Sequence, residues 1–189
     1  MNKRLAVALF AALAVTGCAG NQEAREARKA RAANPAPCPN IVVLSEAARF
    51  IDFDGAQTIE NVTYTGEVVN VTSTCRYFED EPIKAGLTID FAFGRGPKAT
   101  VDKKVFNYFV AVTRRDSDVI AKVEYPLQVS FSGDQPVQTA KIDIDDIIIP
   151  RAGEEISGLN FEIVVGFSVT PQQAIYNRSG KSLKFPDIK

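Results

Sequence analysis

The sequence predicts an all-β protein: an antiparallel, immunoglobulin-like β-sandwich of seven or eight strands with a short C-terminal helix. Three observations point there. From Cys38 onward apolar residues recur with period two, the pattern of half-buried strands. The apolar runs are short and are separated by turn signals such as Glu79-Asp80-Glu81-Pro82 and Gly94-Arg95-Gly96-Pro97. Helix-start chemistry is clearest once, after Thr170. A small β-barrel is the alternative closure for the same strands.

Taken in order, Ile41-Val42-Val43-Leu44 is a short apolar strand. Ser45 to Arg49 reads as one helical turn with Ser45 as N-cap. Val62, Tyr64, Gly66 and Val68 then share one face, and the apolar set changes parity at Val68-Val69 before Val71, Ser73 and Cys75, which predicts a bulge. Leu87, Ile89, Phe91 and Phe93 alternate cleanly. Phe106–Thr113 and Val119–Phe131 form a hairpin, with Pro126 marking an edge or a break because it cannot donate to a ladder. Ile142 and Ile144 alternate with Asp143 and Asp145, and Phe161–Val169 is the last strand. Thr170, Pro171 and Gln173 supply an N-cap, an N1 proline and an N3 partner for a helix running to about Arg178.

Upstream of this domain the organisation is different. Lys3 and Arg4 precede an apolar run from Leu5 to Val15, too short for a membrane span of about 20 residues. Basic start, short apolar core and small residues before Cys18 make an export signal over residues 1–17. Val15-Thr16-Gly17-Cys18 resembles the lipobox of bacterial lipoprotein precursors. That resemblance implies a diacylglycerol on the Cys18 thiol, cleavage before it and acylation of the new amino group. It also implies the outer membrane, because Ala19 stands where an Asp would retain the protein at the inner one. Residues 18–37 then form the lipidated cysteine and a flexible spacer, rich in Ala, Arg, Glu and Lys and lacking an apolar stripe. Residues 38–178 are the sandwich and 179–189 a loosely ordered tail.

With the lipid on Cys18, the remaining Cys38 and Cys75 are a pair in a compartment that permits disulfides. They lie 37 positions apart, and closing that loop stabilises by about 4 kcal/mol in the chain-entropy model. A metal site is the rival reading for two cysteines, disfavoured by a chain with no His and no Cys-x-x-Cys.

Composition narrows the function classes. Removing residues 1–17 leaves 20 basic and 23 acidic residues, which gives no basic excess for nucleic acid. The absence of His removes the commonest general base and metal ligand. Gly166-Phe167-Ser168-Val169-Thr170 fails the nucleophile-elbow pattern at its last position, and no Ser-x-x-Lys occurs. Asp143 and Asp145 alternate with isoleucines and so face solvent, which argues against a Ca²⁺ site there. Neither catalysis nor a cofactor is expected.

Cys38-Pro39-Asn40 to Leu44, Cys75-Arg76-Tyr77, Arg95-Gly96-Pro97, Tyr108–Thr113 and Val165-Gly166-Phe167 to Tyr176-Asn177-Arg178 together resemble a group of small proteobacterial lipoproteins. The resemblance supports the tether and the paired cysteines and implies no activity. The expectation is therefore a binding or scaffolding module in the cell envelope. A membrane holds it through the N-terminal lipid, and an envelope protein is its partner. Arg95, Gly96 and Pro97 on one loop, and Tyr176, Asn177 and Arg178 at the end of the helix, are the candidate contact surface. A carrier of a small apolar ligand or lipid, held between the sheets, is the alternative.

Overall fold

A computed structural model describes Arg25 and residues 36–115, 118–132 and 135–181. The chain divides into two units, Met1–Pro35 and Ala36–Lys189. Cys18, the signal at 1–17, nearly all of the spacer before Ala36 and the tail beyond Lys181 lie outside the described residues. No helix among the described residues is long and apolar enough to cross a membrane.

The second unit holds eight strands: β1 (Asn40–Val43), β2 (Arg49–Phe53), β3 (Val62–Arg76), β4 (Ile83–Arg95), β5 (Lys103–Arg114), β6 (Val119–Ser130), β7 (Val137–Ile149) and β8 (Phe161–Phe167). One α-helix, α1 (Pro171–Arg178), follows. The strands form two four-stranded sheets in the orders β1-β8-β5-β6 and β2-β3-β4-β7, and no ladder joins them among the described residues. This is the expected sandwich and not the barrel. All pairs are antiparallel except β1 with β8. The orders differ from the ABED and CFG sheets of constant-type immunoglobulin domains.

Two of the four register shifts set which side chains face inward along β3 and β7. The shift between Val68 and Asn70 moves the inward set of β3 from Val62, Tyr64 and Val68 to Val71 and Cys75. In β7 the register slips opposite Gly86, where Asp146 adopts φ +60°, so Ile147 stays on the core side with Ile142 and Ile144. Pro126 sits on β6, an edge strand bonded only to β5.

Aromatic rings fill the space between the sheets. Phe93 and Phe106 lie 4.5 Å apart between centroids, Phe91 and Phe167 5.5 Å, and all four are 1 % exposed or less. Each fully buried phenylalanine contributes about 1.5–3 kcal/mol, so this cluster is the centre of the core.

Helix α1 starts as expected: the Gln173 amide N–H donates to Thr170 Oγ1 and the Thr170 N–H to Gln173 Oε1. The Ser45 segment differs from expectation. It is a turn, closed by the Ala47 N–H to the Leu44 carbonyl, and the chain re-enters a sheet at Arg49 as β2. The Ser45 hydroxyl turns to Glu46 instead of capping a helix. That turn crosses from one sheet to the other, bonding the Phe167 N–H through the Ala47 carbonyl and the Val68 N–H through the Ala48 carbonyl.

Candidate functional site

At the start of the sandwich the incoming chain is clasped. Cys38 and Cys75 form a disulfide with Cα atoms 5.6 Å apart, tying the residues before β1 to β3. Two residues beyond Cys75, the Tyr77 hydroxyl donates to the Pro37 carbonyl and accepts from the Gly158 N–H, both at 2.8 Å. Arg151 lies over the Tyr77 ring at 4.5 Å while its Nε donates to the Glu81 carbonyl and its Nη1 to the Ile156 carbonyl. Gly158 is required there, because a Cβ would collide with the Pro37 carbonyl and the Cys38–Pro39 backbone. The β3–β4 and β7–β8 connections therefore meet on Pro37, with Tyr77 buried between them.

Of the two predicted contact segments, Tyr176 and the Arg95-Gly96-Pro97 loop are linked through the Phe53–Val62 end of β2, whereas Asn177 and Arg178 lie at its other end, on the β1–β2 turn. Phe53 pairs with Val62 and stacks edge-on against Tyr176 at 5.3 Å. The Lys98 N–H donates to the Val62 carbonyl and the Gly96 N–H to Thr63, with no room for a Cβ at Gly96. Arg95 pairs with Asp102, and Pro97 is exposed. Of the helix residues, Arg178 is exposed and pairs with Glu46 at 3.3 Å. Asn177 is buried, its amide donating to the carbonyls of Glu46 and Arg49. It docks the helix onto the β1–β2 turn. The Glu46 carboxyl is held below the usual carboxylate range by its own backbone, then by Ser45 and Arg178.

Between α1 and β2 is a cleft of about 240 Å³, where the Gln173 amide bonds Asp52 Oδ1 and the Ile51 carbonyl, and Lys104 pairs with Asp52 at 2.7 Å. The Gln173 bonds hold the helix on β2. No three His, Cys, Asp or Glu side chains among the described residues are grouped to hold a metal ion. A second groove, about 470 Å³, runs over the outer face of the β1-β8-β5-β6 sheet.

Sequence reasoning found the disulfide but missed the Tyr77–Arg151 clasp and the outer groove. The continuous apolar runs Ile41–Leu44 and Ile163–Val165 carried the signal for the groove, since a strand covered on one face alone alternates. No known protein family, no curated protein and no solved structure matches the chain.

Proposed function

We propose that this chain is a bacterial envelope lipoprotein, held to a membrane through Cys18, whose sandwich is a binding or scaffolding module for another envelope protein. The observation that carries this reading is the clasp on Pro37. A domain that hangs from its N-terminus needs its entry point fastened, and here a disulfide, a doubly bonded tyrosine and a stacked arginine converge on that point. The disulfide also suits an oxidising compartment. Ala19 favours the outer membrane, with the domain in the periplasm. A carrier holding its ligand between the sheets has no such support, because Phe91, Phe93, Phe106 and Phe167 occupy that space.

Two measurements test the reading. Bacterial cells fed an alkyne-bearing fatty acid should label the wild-type chain and leave Cys18→Ser unlabelled. Equal labelling of the two would end the anchor reading. Photo-crosslinkers placed at Pro97 and Arg178 should capture one reproducible envelope protein in intact cells, and capture of none would end the scaffold reading.

A further inference from the structure

The outer face of the β1-β8-β5-β6 sheet carries a feature the anchor does not explain. Its central strands are apolar on both sides. Ile163 and Val165 of β8 and Val110 and Val112 of β5 fill the core, yet the residues between them, Val164 and Ala111, are apolar as well and form the floor of the outer groove, 8 % and 4 % exposed. One cross-strand row on the outer face reads Val42, Val164, Ala111, Lys122, and the next places Phe109 beside Glu124. Strands that are apolar on both faces belong to sheets covered on both faces.

The pattern of these two rows says what fits. Large Phe109 and small Ala111 are neighbours on β5, two positions apart on one face. Lys122 and Glu124 are their partners on β6, paired with each other at 2.9 Å. The Lys122 ammonium lies 4.6 Å from the centre of the Phe109 ring. A two-fold axis lying across the strands, midway between the rows, exchanges them. It sets Phe109 of each copy over Ala111 of the other and Lys122 of each copy against Glu124 of the other. Size and charge are complementary under that one operation, as an isologous interface requires.

We propose that two copies of this chain pack face to face through this sheet. The arrangement extends the sandwich by an aligned sheet-on-sheet contact. It does not depend on the lipid.

The test uses the full chain carrying Cys18→Ser, so that lipid does not drive association. Sedimentation velocity should give twice the 20.6 kDa chain mass. Lys122→Glu and Glu124→Lys each place like charges across the axis and should each weaken self-association on the order of a hundredfold. Mixing the two single variants should restore a dimer, now between unlike copies, and the double variant should dimerise alone. Both positions are exposed, so circular dichroism should show folding unchanged. A wild-type monomer at every concentration overturns the proposal, as does a dimer indifferent to both substitutions. Monomers that bind phosphatidylglycerol vesicles through this face would also overturn it, giving the groove to lipid. The fatty-acid labelling result is independent of all these outcomes.

Discussion

The ring of Phe167 on β8 rests against Gly66 on β3, so closely that a Cβ at Gly66 would stand 2.9 Å from its Cζ. This contact joins the two sheets at the aromatic centre. Gly66→Ala should cost about 1–3 kcal/mol by overpacking, read as a lower midpoint in urea. Combining it with Phe167→Leu should cost less than the sum of the two single changes, since the smaller side chain vacates the contact.

Tyr77→Phe removes both bonds of the phenol at once and leaves the buried Gly158 N–H without an acceptor. The expected loss is about 1–3 kcal/mol. Amide hydrogen exchange at Gly158 should accelerate more than at Ile163, deep in the same strand region.

Replacing Cys38 and Cys75 together by serine should lower stability by roughly 4 kcal/mol through the freed unfolded chain. The damage should concentrate in β1, a four-residue edge strand held otherwise by its pairing to β8. Exchange protection of Val42 and Val43 should fall before that of β4 or β5.

Alkaline titration should weaken the fold through Tyr108. Burial, and then the neighbouring Tyr125, raise its phenol above the ordinary 10.0. The unfolded chain ionises first. This contribution to stability is therefore complete below pH 10 and is lost as pH rises through the folded value. Tyr108→Phe should flatten the fall in melting temperature above pH 10, and an unchanged slope would mean that another group controls it.

Strands that bury one face were readable because parity is a local property. The bulge in β3 was visible in the switch from Val68 to Val71, and helix α1 in Thr170, Pro171 and Gln173. β2 was not readable. Phe50 packs into the core while the neighbouring Ile51 side chain is buried too, so the run Phe50-Ile51 shows no alternation. Asn177 looked like surface for a similar reason. Nothing near it in sequence announces that the carbonyls of Glu46 and Arg49 will need its amide. The Tyr77–Arg151 stack joins segments far apart in the chain, and no spacing encodes it.

Under the lipoprotein reading proposed above, the domain is loaded through its N-terminus. A pull on the residues before Ala36 meets the Pro37–Tyr77 bond and then the disulfide, which passes it covalently to Cys75, skipping the four pairs that hold β1. From there it spreads along β3, whose ladder with β4 runs from Tyr64 to Arg76 and resists as a unit. Without that bond the same pull would peel β1 away one pair at a time and open the edge of β8. The clasp thus moves the mechanical attachment point from the shortest described strand of the sandwich to its longest.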